Sequence, residues 1–197
     1  MRFSKLSDII LEQNGKPKAV IMAGGAGTGK SFLLKQLGLE GLKQYNPDTY
    51  VEDPKHPYHN NLSAASGQVD KDVVAASEKG ESFIWDTTAS NPSKVRDLLA
   101  KGYDVFMVMV YTHPMISFIS NFSRDRKLPR ASVFSTWKSV YKLLDTYQDL
   151  LGDNFALYVN LREGKFDKEI ADFNQAAQKG AQGIEDYLQA YMEANGG

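Results

Sequence analysis

Eight residues constrain this chain more than any others: Gly24-Gly25-Ala26-Gly27-Thr28-Gly29-Lys30-Ser31, set between an apolar run, Lys18 to Ala23, and a segment with helical patterning. The run is apolar without alternation and stops at glycines, as a parallel strand buried on both faces does. The pattern GxxxxGKS between a strand and a helix is the context in which backbone N–H groups curl around phosphate oxygens. Gly25, Ala26, Gly27, Thr28 and Gly29 then form the nest, Lys30 reaches the β- and γ-phosphates, and Ser31 ligates Mg2+. The implied ligand is a Mg-bound nucleoside triphosphate, ATP or GTP.

The strand-then-helix alternation recurs. Leu42 to Tyr45, Ser82 to Trp85, Asp104 to Tyr111 and Phe155 to Asn160 read as further strands. Phe3 to Gln13, Lys30 to about Leu37, Gln68 to Lys79, Asn91 to Lys101, a segment opening at Thr112-His113-Pro114, Ala131 to Leu151 and Asp167 to about Glu193 read as helices. Asn91 as N-cap, Pro92 at the first helical position and Gly102 past the end bound one of them well. Such alternation predicts an α/β fold, a parallel sheet covered by helices on both faces.

With 197 residues, 42% of them hydrophobic, the chain suits one domain over 1–197. Within it we expect an irregular acceptor-side insertion over about 50–68, a lid over about 118–132, and one long C-terminal helix over about 167–193. The formal net charge of -1 gives no global reason for nucleic acid or an anionic membrane as partner. The absence of cysteine removes disulfides, thiolate metal sites and a cysteine nucleophile, and fits a cytoplasmic setting. The only apolar run near the N-terminus, Ile9-Ile10-Leu11, is too short for a signal core or a membrane span.

The reaction class depends on residues beyond the loop. No NKxD base-reading sequence of a GTPase is present. At the second nucleotide strand, Trp85-Asp86-Thr87-Thr88 carries threonine where a hydrolytic ATPase carries a catalytic glutamate. Asp86 can hold Mg2+, and no adjacent carboxylate is poised for water. A kinase instead needs a carboxylate facing the acceptor, able to take the hydroxyl proton; Asp48, in Asn46-Pro47-Asp48, is that candidate base. The basic run Asn121-Phe122-Ser123-Arg124-Asp125-Arg126-Lys127-Leu128-Pro129-Arg130 suits a lid that neutralises transferring phosphate. Arg124 and Arg130 are expected at the phosphates, Arg126 less often, since residues two apart on a helix diverge.

Laid out in this order, GGAGTGKS, NPD, IWDTT, SNPSKVRDLLAKGYDVFMVMVY and NFSRDRKLPR resemble the zeta-toxin and polynucleotide-kinase group of P-loop kinases, small phage-encoded members included. The resemblance spans about Lys18 to Asn160. It implies a five-stranded sheet ordered 2-3-1-4-5 and γ-phosphoryl transfer from ATP or GTP to a hydroxyl of a nucleotide, nucleotide sugar or nucleic-acid end. It also implies Asp48 as base, Lys30 and Ser31 at the nucleotide, Asp86 and Thr88 near Mg2+ or acceptor, and lid arginines at the phosphates. The chain departs from the group on the acceptor side. Tyr50-Val51 stands where polynucleotide kinases of the group carry an arginine, and Ser90 where zeta toxins acting on nucleotide sugars carry one.

Three histidines compete for attention. His56 and His59 read as solvated loop residues, with no evident third ligand for a metal, and His113 reads as a helix cap. Asn160 and Arg162, after the last strand, are placed at the nucleotide base, because ligands gather at the carboxyl ends of parallel strands. A nucleotide-gated binding module without phosphotransfer is the alternative reading of the same loop; an RNA- or DNA-binder using the basic run fits the near-neutral charge less well.

Overall fold

The computed structural model describes residues 10, 15–39, 41–123 and 128–195. All six residues of β1 (Lys18–Ala23) are buried, and alternate side chains enter different cores. Ala19, Ile21 and Ala23 face one cluster, Val20 and Met22 another. A strand that feeds two cores must lie inside a sheet covered on both faces.

β1 is the middle strand of five. With β2 (Lys43–Tyr45), β3 (Phe83–Thr87), β4 (Asp104–Tyr111) and β5 (Phe155–Val159) it forms a wholly parallel sheet in the order β2-β3-β1-β4-β5. That is the order implied by the family resemblance. The register sets Met22 beside Asp86 and Ala23 beside Thr87, so the phosphate-loop glycines and the end of β3 leave the sheet together.

Helix α1 (Lys30–Gln36) covers one face, burying Leu33 with Val20, Ile84 and Val108. The α2 (Pro47–Glu52) turn follows β2, and α3 (Leu62–Glu78) and α4 (Pro92–Ala100) cover the other face through Val69, Val73, Val95 and Leu98. The α4 boundaries follow the expected signals: the Asn91 side chain accepts from Ser93 N at 3.0 Å, and Gly102 takes φ +84 just beyond the end. After β4 come α5 (Pro114–Phe122), α6 (Arg130–Tyr141) and α7 (Leu144–Leu151), then β5, α8 (Asp167–Ala177) and α9 (Gly180–Ala194). A third cluster joins Met115 and Phe118 of α5 to Phe173 of α8 and Leu188 of α9.

Three expectations are corrected. The C-terminal helix over 167–193 is two helices, because Gly180 takes φ +80 and turns the chain back. The glycine that follows one turn later has a packing reason: a Cβ on Gly183 would lie 2.4 Å from Ala176 O, so the two helices meet at backbone distance. The helix expected over Ala131 to Leu151 is also two, α6 and α7, broken at Lys142-Leu143. The irregular insertion over 50–68 shrinks to 53–61, since α2 runs to Glu52 and Asn61 caps α3 by accepting from Ala64 N at 3.1 Å. The N-terminal helix expected over Phe3 to Gln13 lies outside the described residues except for Ile10, which is buried beside α1. Among the described residues no helix is long and apolar enough to cross a membrane.

Candidate active site

The five strands point their carboxyl ends at one edge, where ligands of parallel sheets gather, and most of the expected site residues within the described chain lie there. The loop after β1 is possible only with glycine. Gly27 has φ +75, and a Cβ there would sit 2.8 Å from Ser117 O and 2.9 Å from Ser120 Cβ of α5. Gly29, at φ +98, is the N-cap of α1, and a Cβ would meet Asn160 Nδ2 at 2.8 Å.

The loop is braced from beneath. Thr28, 1% exposed, donates through Oγ1 to Gly25 O at 3.1 Å. Asn160 donates its side-chain amide to Thr28 O at 2.9 Å, while its own N–H goes to Tyr111 O at 2.8 Å. Trp137 of α6 donates to Thr112 O at 2.8 Å, and Tyr141 to Val110 O at 2.6 Å. Burial pushes the Tyr141 phenol above the ordinary tyrosine range.

Lys30 folds back over the loop. Its ammonium donates to Gly24 O at 2.9 Å and Gly25 O at 3.3 Å, and lies 3.6 Å from Asp86 Oδ1. Asp86 is 6% exposed and also accepts from Asn46 Nδ2 at 3.3 Å. The same asparagine caps α2, its Oδ1 accepting from Asp48 N at 2.9 Å. One side chain therefore ties the carboxylate at the end of β3 to the helical turn that carries Asp48.

A cleft of about 560 Å3 opens between these groups. Ala26 through Ser31 form one wall; Asn46, Asp48, Ser66, Asp70, Thr88 and Lys94 are on its lining elsewhere. Among the described residues no three acidic or histidine groups converge as a metal cage. The donors available for Mg2+ are the Asp86 carboxylate and the Ser31 hydroxyl, hard oxygens that suit an ion completed by phosphate and water. The residues present fit that ion.

Of the expected site residues, Ala26, Gly27, Thr28, Gly29, Lys30, Ser31, Asp48, Asp86 and Thr88 share this cleft. Gly25, Arg130, Asn160 and Arg162 are not on its lining. Arg130 is the first residue of α6 and pairs with Glu185 of α9. Asn160 spends its amide on the loop backbone, and Arg162, at φ +49, lies over the Phe166 ring. Arg124 and Arg126 lie outside the described residues.

The histidines have local work. His56 stacks on Tyr50 at 4.4 Å and accepts from Tyr58 N at 3.2 Å, and His59 Nδ1 contacts Val51 O at 2.8 Å. Tyr50 in turn donates to Asp72 at 2.6 Å, and that bond, with burial, raises its pKa to about 12. His113 caps α5 by accepting from Met115 N at 3.2 Å.

A parallel sheet in this order, with GxxxxGKS at the carboxyl end of its middle strand, defines a P-loop kinase fold. The family model for zeta toxin matches residues 4–145, most of the chain. The chain belongs to the zeta toxin family. Among solved structures, a chain of the AvrRxo1-ORF1:-ORF2 complex with ATP superposes with a TM-score of 0.63 at 16% identity, over 83% of this chain and 60% of that one. This chain thus spans about 60% of that protein's length. A chain of the PezAT chromosomal toxin-antitoxin system of Streptococcus pneumoniae matches with a TM-score of 0.51 at 16% identity, over 94% of each. At such identities the likeness shows the fold alone. No curated protein matches at a significant level.

Proposed function

We propose that this protein transfers the γ-phosphoryl group of ATP or GTP to the hydroxyl of a small-molecule or nucleic-acid acceptor. One observation carries the reading: the phosphate loop and Asp48 line the same 560 Å3 cleft, with Lys30 and Asp86 between them. The loop amides and the N-terminus of α1 hold the triphosphate, and Lys30 exchanges its carbonyl partners for β- and γ-phosphate oxygens. Ser31 and Asp86 would hold Mg2+, which would neutralise charge on those oxygens. The acceptor oxygen bonds to the γ-phosphorus as the bond from that phosphorus to the β–γ bridging oxygen breaks. The acceptor proton passes to the Asp48 carboxylate, and nucleoside diphosphate leaves.

The test is transfer of label from γ-labelled ATP or GTP to a panel of hydroxyl acceptors. Lys30→Ala is expected to lower transfer by about a thousandfold, the scale of losing a preorganised charge at developing phosphate charge. A protein that binds nucleotide tightly yet labels no acceptor would instead be a nucleotide-gated binder.

A further inference from the structure

The proposed chemistry fixes which way the donor lies. In phosphoryl transfer the attacking and leaving oxygens stand roughly in line across the γ-phosphorus. Asp86 is in β3 and Asp48 follows β2, both on one side of the middle strand, so the acceptor enters from there. The leaving diphosphate and its nucleoside then extend to the other side of β1, towards the ends of β4 and β5. The two residues expected at the base on that side have protein partners instead. Asn160 gives its side-chain amide to Thr28 O at 2.9 Å, and the Arg162 guanidinium lies 5.8 Å from the centre of the Phe166 ring.

What that side does carry is exposed apolar surface. Phe32, in the first turn of α1, is 63% exposed, more than any other large apolar side chain among the described residues. Leu161, which follows Asn160, is 38% exposed. Neither is on the lining of the cleft that Asp48 shares with the phosphate loop.

The helix sets the direction of Phe32. Leu33 and Leu37 turn to the sheet, and Phe32, about 100° around the axis from Leu33, stands off that face. Gly29, three residues earlier, lies on the same side of α1 as Phe32. A Cβ on Gly29 would meet Asn160 Nδ2 at 2.8 Å, so this flank of α1 is the one beside the chain that leaves β5. Helix stability gives no reason for an aromatic there: the ring loses rotamer freedom against the preceding turn and, left exposed, recovers little by burial. A nucleobase supplies the missing partner, since every base has a π-face that stacks on an aromatic ring.

Resting on the kinase reading above, we propose that Phe32 is the platform for the nucleobase of the donor triphosphate, with Leu161 flanking the same opening. The ring holds the base while the loop amides, Lys30 and Ser31 hold the phosphates, so the two halves of the donor are bound by separate groups. The test is binding of ATP, GTP and base-free tripolyphosphate to the full chain with Mg2+, by calorimetry. Phe32→Ala is expected to weaken ATP and GTP about tenfold, the scale of one lost base–aromatic stack, and tripolyphosphate by less than about twofold. Phe32→Tyr keeps a ring and is expected to bind ATP within about threefold of the parent. An unchanged ATP affinity in Phe32→Ala overturns the platform. So does an equal loss for tripolyphosphate, which would mark a disturbed loop, or a tyrosine variant as weak as the alanine one. The kinase reading is decided separately, by transfer of label to an acceptor, and a parent that transfers label while Phe32→Ala binds ATP normally would keep that reading and sink the platform.

Discussion

The two walls of the cleft are built by opposite means. The phosphate wall is backbone: Ala26 through Ser31, held in shape by the positive-φ glycines Gly27 and Gly29 and braced by Asn160 at Thr28 O, while Trp137 and Tyr141 bond to the neighbouring carbonyls of Thr112 and Val110. The opposite wall, where the proposed acceptor would sit, is side chain: Asn46 accepts from Asp48 N and donates to Asp86, and Asp70 of α3 pairs with Lys94 of α4. A backbone wall recognises what all nucleoside triphosphates share, and it tolerates few substitutions. A side-chain wall can be rewritten one residue at a time.

If that contrast holds, changes to the phosphate wall act on nucleotide affinity, and changes to the acceptor wall act on transfer. Gly27→Ala is the harshest test of the first half. The new Cβ at φ +75 has backbone oxygen 2.8 Å away on α5, and neither the loop nor a helix can yield cheaply. Nucleotide affinity by calorimetry should fall about a hundredfold, from strain and overpacking of about 3 kcal/mol. A fall below about threefold would show the loop to be more pliant than a backbone wall allows.

Asn46→Ala tests the second half. It removes both the α2 cap on Asp48 N and the bond to Asp86, so the base is less well placed while the loop is untouched. Transfer at saturating substrates should drop about tenfold, with nucleotide affinity within about twofold of the parent. Equal losses in both quantities would merge the two walls into one unit.

The smallest effect is on stability. Burial holds the His113 imidazole below its ordinary pKa of 6.5, only partly offset by Asn174. The cap itself needs an unprotonated Nδ1 to accept from Met115 N. The folded state therefore binds fewer protons than the unfolded chain near pH 6. Its contribution is full above pH 6.5 and fades as the pH falls through the lowered value. Chemical denaturation should show a loss of about 0.5 to 1 kcal/mol on acidification that His113→Asn, which keeps a cap, abolishes. A loss of the same size in the variant would assign it to other groups.

What was legible in the sequence follows the same division. The loop, the strand before it and the Asn91-Pro92 start of α4 are signalled by residues within a few positions of each other, and the structure has them where expected. The Asp70–Lys94 pair joins α3 to α4 through residues 24 positions apart, and no local pattern announces it. Arg130 illustrates the limit in reverse. Its sequence neighbours suggested a phosphate partner, but its contact, Glu185, lies 55 positions away on α9. The split of α8 from α9 had a visible signal in Gly180, hidden because apolar residues recur on both sides of it. That helical hairpin lies beyond residues 4–145 of the family match and packs against α5, the helix that also abuts Gly27.

The central claim is that a nucleotide nest and a proton acceptor confront each other across one cleft. Single-turnover transfer by Asp48→Asn, with nucleotide affinity measured on the same preparation, tests it most directly. The expected result is affinity within about twofold of the parent and transfer slowed by about a hundredfold to ten-thousandfold, the range of general-base contributions. Transfer at the parental rate would contradict the claim.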